Sequence, residues 1–174
     1  MFGVVKDGAV IKNIIMDKSC NISGRSNIAG FVGEAYLIEG NTLTISGCGN
    51  EAAIDAGDLA SGIISEVTLA NGDMVINNCY NTGTVTAQNY AAAMISDIYI
   101  WEDDDTEGDD TESDDTVGGT IKVYHSYNAG MVTGTKESTG VFSAFTGKAE
   151  DMLINCYYQE GTVQSGTGAT VKTK

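Results

Sequence analysis

The sequence has no proline and few of the residues that most often carry catalysis or bind nucleic acid. Of its 174 residues, one is histidine, one is tryptophan and 9 are basic. A single histidine leaves too few ligands for a Cys/His zinc site and hardly permits a histidine-dependent triad. A nucleic-acid interface needs a cationic face, which a chain with a net charge of −15 does not favour. We therefore predict no nucleic-acid partner.

Long apolar segments and nucleotide-binding motifs are also missing. No window approaches the roughly 18 to 20 consecutive apolar residues of a membrane-spanning helix. Met1–Gly8 lacks the basic-then-apolar order of a signal peptide, so we expect either a cytoplasmic protein or one whose targeting segment is missing from this sequence. Neither a P-loop, nor a dinucleotide-binding glycine pattern, nor an HExxH motif is present. We predict no membrane insertion and no organic cofactor.

One pattern dominates the sequence and recurs five times. Its clearest copy is INNCYNTGTVTA at Ile76–Ala87. Aligned on a central isoleucine or valine, successive copies are 32, 31, 47 and 31 residues apart. The five centres are Ile22, Ile54, Val85, Val132 and Val163. A unit of this size buries its apolar face only against its neighbours, so the repeat predicts a stack of similar coils.

A second block follows each of the first four centres after eight residues. It consists of a small residue, two bulky apolar residues and another small residue, as in GFVG at Gly30–Gly33 and GVFS at Gly140–Ser143. Such a block indicates a short buried strand between bends. Together with 22 glycines and no proline, it predicts an all-β fold. We expect a parallel β-helix, or β-solenoid, of about five coils that forms a single domain over residues 1–174.

Turn signals between the second block and the next unit predict short hairpin excursions from the coil. The best example is EVTLANGDMVI at Glu66–Ile76, with Asn71–Gly72 at its tip. The longest spacing is explained by an insertion of residues 102–117 at the equivalent place. Insertions into solenoids map to loops on their sides, so we expect a lateral loop there.

Two columns of equivalent residues are predicted to point into the stack. Cys48 and Cys79 share one repeat position, and Cys156 lies one residue from it. We interpret them as buried, reduced thiols, although a disulfide between adjacent coils is compatible with the spacing of strands. The other column contains Asn50, Asn81 and Asn128. It predicts an asparagine ladder, with these residues in left-handed positions, that satisfies buried backbone groups.

The paired blocks resemble the GLUG-motif repeats of bacterial surface and secreted proteins. The resemblance rests on NCYNTGTV at Asn78–Val85 and on GFVG at Gly30–Gly33, and it extends over about residues 9–163. Later copies of the second block replace a glycine with serine or alanine. The resemblance implies an extended β-module, often adhesin-like, and assigns no catalytic residues. On this basis we expect a cell-surface or extracellular location and a chain that is part of a longer protein.

The predicted function is a non-catalytic structural or adhesive repeat module on a bacterial surface, whose partner is a host or envelope glycan or protein. The alternative is a carbohydrate-binding or carbohydrate-processing β-helix. An enzyme of that kind needs carboxylates clustered on one lateral face. The candidate carboxylates outside the acidic segment share no repeat column, which disfavours an enzyme; they are Asp17, Asp55, Asp58, Asp73 and Asp97. Because the ends of a stack are open, end-to-end self-association is a further expectation.

The candidate ligand-binding residues are three tyrosines. Tyr80 and Tyr127 share a column next to the inward cysteines, where the alternation of a strand points them outward. Tyr157, together with Tyr158, surrounds the same place in the last unit. Exposed tyrosines can stack on sugars, although scattered surface aromatics are ordinary. The column therefore predicts a ligand surface on one side of the solenoid.

The inserted segment is strongly acidic. Glu102–Asp115 contains ten carboxylates and no base, so most of the net charge belongs to it. Calcium takes roughly six to eight oxygen ligands, and the candidate ligands here are Asp103, Asp104, Asp105, Asp109, Asp110, Asp114 and Asp115. The segment lacks the ordered spacing of an EF-hand loop, and like charges at this density repel. We therefore expect a solvated, mobile loop that binds cations only loosely. The chain is predicted to need no cofactor, and calcium bound at this loop is the alternative.

Overall fold

The chain folds into a parallel β-helix in a computed structural model that describes residues 1–100, 119–139, 142–144, 153–163 and 170–172. No α-helix occurs within these ranges. Five short strands make up one coil, and each pairs in parallel with the equivalent strand of the next coil. Four coils are complete and further strands begin the next. The predicted fold class is confirmed.

The strands follow one another in the same order in every coil. The first coil contains β1 (Phe2–Lys6), β2 (Val10–Lys12), β3 (Ile15–Met16), β4 (Asn21–Gly24) and β5 (Ile28–Ala29). The second contains β6 (Val32–Leu37), β7 (Thr42–Ser46), β8 (Gly49–Asn50), β9 (Ala53–Ala56) and β10 (Leu59–Ser61). The third contains β11 (Ile64–Leu69), β12 (Asp73–Asn77), β13 (Tyr80–Asn81), β14 (Val85–Ala87) and β15 (Tyr90–Ala92).

The fourth coil contains β16 (Ile95–Ile100), β17 (Ile121–Tyr124), β18 (Tyr127–Asn128), β19 (Val132–Gly134) and β20 (Glu137–Thr139). The remaining strands are β21 (Phe142–Ala144), β22 (Leu153–Ile154), β23 (Tyr157–Gln159) and β24 (Thr170–Lys172). Five sheets result, which we number by the strand of the first coil that each contains. The first sheet therefore runs β1-β6-β11-β16-β21, and the third runs β3-β8-β13-β18-β23-β24.

The predicted repeat centres form one continuous row inside the fourth sheet. Ile54 pairs in register with Ile22 on one side and with Val85 on the other, and Val85 pairs with Val132. Ile54 and Val85 are buried, and Val163 packs partly buried against the same core. This register continues from Val85 to Val132 although 47 residues separate the two in the sequence.

A buried asparagine ladder links the coils, as the sequence predicts. Nδ2 of Asn50 donates to Oδ1 of Asn81 at 2.8 Å, and Nδ2 of Asn81 donates to Oδ1 of Asn128 at 2.8 Å. The last amide donates to Oγ1 of Thr162 at 3.2 Å. Each amide also donates to the carbonyl two residues further along its own chain. Oδ1 of Asn50 has no partner, because Met16 occupies this position in the first coil.

The cysteine column is also interior. Cys48, Cys79 and Cys156 are buried and free, and each thiol donates to the carbonyl two residues before it. Ser126 completes the column and donates to the carbonyl of Tyr124 at 2.8 Å. Burial raises the pKa of Cys79 to about 12 and raises that of Cys156. The prediction that these thiols point into the stack and are buried is confirmed, and their reduced state stays a prediction.

The predicted hairpin at residues 66–76 is wrong. β11 pairs with β6 and β16, whereas β12 pairs with β7 and β17, so the two strands lie in different sheets. A type I′ turn needs a positive φ at both central residues, and neither Asn71 nor Gly72 has one. Their N–H groups instead donate to the carbonyl of Leu37 in the preceding coil, at 3.1 and 2.9 Å. Asn71–Gly72 is a corner between two sheets.

The next corner, between the second and third sheets, uses the left-handed backbone conformation in every coil. The residues concerned have φ between 47° and 63°, and they are Asn13, Gly47, Asn78, His125 and Asn155. Asparagine and glycine tolerate this region best. At this corner the left-handed asparagines are Asn13, Asn78 and Asn155. The ladder asparagines do not adopt the left-handed conformation, so that part of the prediction is wrong. The single histidine occupies a structural corner position.

Candidate functional site

The predicted tyrosines line up on the outer side of the third sheet. Tyr80 pairs in register with Tyr127, and Tyr127 pairs with Tyr157. The side chain of Tyr127 is 43% exposed, and those of Tyr80 and Tyr157 are partly buried. The rings of Tyr80 and Tyr127 stack with centroids 5.5 Å apart and planes inclined by 11°. We call these three residues the tyrosine column.

The packing around Tyr80 determines which part of its ring faces outward. In the preceding coil Gly49 occupies the equivalent position, and a methyl group there would overlap the ring of Tyr80. One face of the ring therefore lies over backbone, and the other lies against Tyr127. The hydroxyl donates to Oε1 of Glu51 at 2.9 Å, and burial followed by this hydrogen bond raises the pKa of Tyr80. Tyr80 thus presents an edge outward, and Tyr127 contributes more of the exposed aromatic surface.

A second surface lies on the first sheet, and the sequence analysis did not predict it. Glu34 pairs in register with Glu66, and Glu66 pairs with Asp97, so three partly buried carboxylates from three coils form one column. We call it the carboxylate column. Each member lies twelve residues after the centre of its repeat. This common spacing is visible in the sequence, but aspartates alone do not reveal it, because two of the three members are glutamates.

Neighbouring polar groups bridge the carboxylates. Nδ2 of Asn27 lies 2.8 Å from Oε1 of Glu34 and 3.3 Å from Oε2 of Glu66. The hydroxyl of Tyr36 donates to Oε2 of Glu34 at 3.2 Å. Oδ1 of Asp97 accepts from the N–H of Ile98 at 2.9 Å. A single amide therefore holds the first two carboxylates close together in adjacent coils.

Burial raises the pKa of two members of this column, Glu66 and Asp97. Burial, followed by the negative charges of Glu34 and Asp97, raises the pKa of Glu66. Burial is also the main cause that raises the pKa of Asp97. The sequence has no lysine or arginine between Arg25 and Lys122, so bases from the two intervening coils cannot offset these charges. A carboxyl with a raised pKa beside an ionised one can exchange protons or form hydrogen bonds with hydroxyl groups.

The proposed calcium ligands of the acidic insertion lie outside the described residues. The ends of the insertion are nevertheless placed. β16 ends at Ile100, and at the other end the N–H of Gly119 donates to the carbonyl of Ala70 at 3.1 Å. Oδ1 of Asp73 accepts from both the N–H and the hydroxyl of Thr120 at 2.8 Å. The insertion therefore leaves and rejoins the solenoid at the corner that Asn71–Gly72 occupies one coil earlier.

No described group of three or more His, Cys, Asp or Glu side chains is arranged to hold a metal ion. Within the same residues, no helix is long and apolar enough to cross a membrane. No protein-family model matches the chain, and no curated protein or solved structure shows significant similarity to it. The resemblance to GLUG-motif repeats therefore rests on the motifs of the sequence alone.

Proposed function

We propose that this chain is a non-catalytic repeat module that spaces and presents a binding surface outside a bacterial cell. The observation that carries the proposal is the tyrosine column, in which the stacked rings of Tyr80 and Tyr127 line one outer side of the solenoid. Tyrosine gives large contact area at low entropic cost and is favoured in binding surfaces. The partner class is a host or envelope glycan or protein.

The interior supports a spacing role. Hydrogen bonds between side chains of successive coils continue from Asn50 to Thr162, and the apolar rows run parallel to them. Because each coil contacts mainly its neighbours, the shape is that of a stack whose outer columns repeat at about 4.8 Å, the distance between paired strands. Such columns are suited to extended ligands. The extracellular, bacterial location rests on the GLUG-like motifs at residues 30–33 and 78–85.

Adhesion can be tested with beads that carry the purified chain. The beads are applied to glycan arrays and to host-cell surfaces, and binding is compared between Tyr127→Ala and Tyr99→Ala. Tyr99 is a matched control, because it is 59% exposed and lies on the first sheet. We expect Tyr127→Ala to abolish most of the binding and Tyr99→Ala to preserve it. Absence of binding by the unmodified chain would refute the adhesive role, and equal binding by both variants would refute the role of the column.

The carboxylate column favours a second candidate, a carbohydrate-binding or carbohydrate-processing module. Glu34 and Glu66 are bridged by one amide, and the pKa of Glu66 is raised. Two carboxylates of this kind are what acid–base cleavage of a glycosidic bond requires, at separations of about 5 to 9.5 Å. The assay measures reducing ends released from a panel of polysaccharides, with Glu66→Gln as the test and Asp55→Asn, exposed on the fourth sheet, as the control.

Each result of that assay has a clear meaning. Activity that Glu66→Gln removes and Asp55→Asn retains supports processing. Glycan binding without release of reducing ends supports binding only. Absence of both activities from the unmodified chain removes this candidate.

Calcium remains the proposed ligand of the acidic insertion, on the strength of its ten carboxylates within residues 102–115. Ordering of these residues by calcium would stabilise the corner formed by Ala70, Gly119 and Thr120, to which the insertion is joined. Thermal melts with calcium and with a chelator test this, because binding to the folded state alone raises the midpoint. Identical midpoints would rule calcium out.

A further inference from the structure

Two further rows of outward residues run beside the tyrosine column. In each coil they flank the tyrosine position from two residues before it and two residues after it. The eight flanking residues are exposed or partly buried, whereas the cysteine column and the ladder asparagines that separate them from the tyrosines are buried. They are Gly47, Asn78, His125 and Asn155 at the corner, and Glu51, Thr82, Ala129 and Gln159 on the other side. We call these eight residues and the tyrosine column together the tyrosine face.

The rings of Tyr80 and Tyr127 overlap along the axis of the solenoid. A methyl group placed on Gly49 would meet the outer end of the Tyr80 ring, so this ring leans back over the preceding coil. Its hydroxyl reaches Glu51 of that coil. The ring of Tyr127 leans the same way, because it is nearly parallel to that of Tyr80. The parts of the two rings that stay uncovered form one narrow aromatic strip parallel to the axis.

The tyrosine face offers many hydrogen-bonding groups and few charges. Among the described residues, no hydrogen bond uses the side chains of five of the flanking residues, which are Asn78, Thr82, His125, Asn155 and Gln159. Glu51 is the only acid among the eight, and it already accepts from the hydroxyl of Tyr80. None of the eight is lysine or arginine, the residues that best bind carboxylate and sulfate-like groups. The face therefore suits a neutral ligand that is rich in hydroxyl groups.

The spacing of the coils restricts the shape of that ligand. The tyrosine positions pair in register from coil to coil, so the strip is straight and repeats at about 4.8 Å. An extended β-1,4-linked polysaccharide advances by nearly this distance for each sugar and stays straight, whereas an α-1,4-linked glucan curves away. An extended peptide fits less well, because side chains on one face of a strand recur only about every 7 Å.

We propose that the tyrosine face binds a neutral, β-1,4-linked polysaccharide that lies along the solenoid axis. The apolar C–H faces of the sugars pack on the aromatic strip, and their hydroxyl groups hydrogen-bond with the flanking rows. This inference rests on the proposed function and narrows its partner to one chemical class. From Tyr80 to Tyr157 the strip covers two coil steps, about 10 Å, and so accommodates three consecutive sugars.

Isothermal titration calorimetry of the full chain with defined oligosaccharides tests the proposal. The ligands are cello- and chito-oligosaccharides of two to six sugars, with maltohexaose and an oligogalacturonate for comparison. We expect at least one β-1,4-linked neutral series to bind, with an affinity that rises up to the trisaccharide and changes little beyond it. Salt should leave this affinity unchanged, because screening acts on charges. Maltohexaose and the oligogalacturonate should bind at least about tenfold more weakly, a difference of roughly 1.4 kcal/mol.

Variants of the ring test the aromatic strip. Tyr127→Ala should weaken binding by about tenfold or more, as truncation of an aromatic anchor commonly does. Tyr127→Phe keeps the ring and should stay within about threefold of the unmodified chain. A circular dichroism melt of each variant separates loss of binding from loss of folding.

Variants of the corner row test the hydrogen-bonding groups. Asn78→Gly removes the amide at a position where the preceding coil already has Gly47 in the same left-handed conformation, so the backbone should be retained. We expect a several-fold loss of affinity. Asn13→Gly is the matched control, because Asn13 has the same backbone conformation but precedes Ile15 instead of a tyrosine. It should bind as the unmodified chain does.

Failure of this inference is distinguishable from failure of the adhesive role. If Tyr127→Ala abolishes adhesion to cells but no β-1,4-linked oligosaccharide binds, the adhesive role stands and the inference is overturned. Preference for the oligogalacturonate, or equal affinity of the unmodified chain and Tyr127→Ala for a neutral oligosaccharide, overturns it as well. Adhesion that depends on Tyr127 and that proteolysis of the cell surface removes would identify a protein partner instead.

Discussion

The asparagine ladder makes a quantitative prediction about the stability of the solenoid. Asn81 is fully buried at the centre of the ladder and makes three side-chain hydrogen bonds. Asn81→Ala leaves the oxygen of Asn128 and the carbonyl of Gly83 without this donor, and it leaves one N–H of Asn50 without its acceptor. A buried polar group without a partner costs about 1–3 kcal/mol. Water entering the vacated space recovers part of that cost.

We therefore expect Asn81→Ala to lower the free energy of unfolding by about 3–5 kcal/mol, out of the roughly 5–15 kcal/mol that is typical of a domain. Urea unfolding followed by circular dichroism measures this value. Asn21→Ala, exposed on β4, is the matched control and should stay within about 0.5 kcal/mol of the unmodified chain. Asn50→Ala should cost less than Asn81→Ala, because the oxygen of Asn50 already lacks a partner.

Two results would refute this reasoning. If Asn81→Ala is as mild as Asn21→Ala, the ladder does not stabilise the fold. If Asn50→Ala costs as much as Asn81→Ala, the oxygen of Asn50 has a partner that the geometry does not account for.

Three further predictions follow from the packing. In the folded chain a thiol reagent should modify Cys20 rapidly and the three buried cysteines only on unfolding, and rapid reaction of all four thiols would contradict the interior column. Because the pKa of Glu66 is raised above 4.5 in the folded state, its contribution to stability is complete below 4.5 and is lost as pH rises through the raised value. Acidification from neutral pH should thus raise the melting temperature, and Glu66→Gln should reduce that rise; an unchanged pH profile would argue against the raised pKa. Gly49→Ala should destabilise the chain, but much less when combined with Tyr80→Ala, which removes the overlapping ring; additive costs in the double variant would show that the ring does not lie over Gly49.

The fold was predictable because a solenoid converts sequence spacing directly into spatial register. Once Ile22, Ile54, Val85 and Val132 are aligned, parallel pairing of equivalent strands is the arrangement that buries all of them together. The hairpin could not be judged from the local signal. Asn71–Gly72 suits a two-residue hairpin, but β11 already has a strand on each side, so no edge remains for β12 to pair with. Pairing between coils overrode the turn propensity.

The candidate surfaces were predictable only as far as backbone register determines them. The sequence placed Tyr80 and Tyr127 in one column, but the position of the Tyr80 ring over Gly49 depends on side-chain torsions that spacing does not encode. The bridge from Asn27 to Glu34 and Glu66 depends on a corner residue from a neighbouring part of the coil, at a φ of 54°. Interior columns are constrained by packing on every side, so their alignment fixes their contacts. Outer columns have solvent on one side, and there the same alignment brings residues together without fixing what they bind, which is why adhesion and carbohydrate chemistry must be separated by variants of Tyr127 and Glu66.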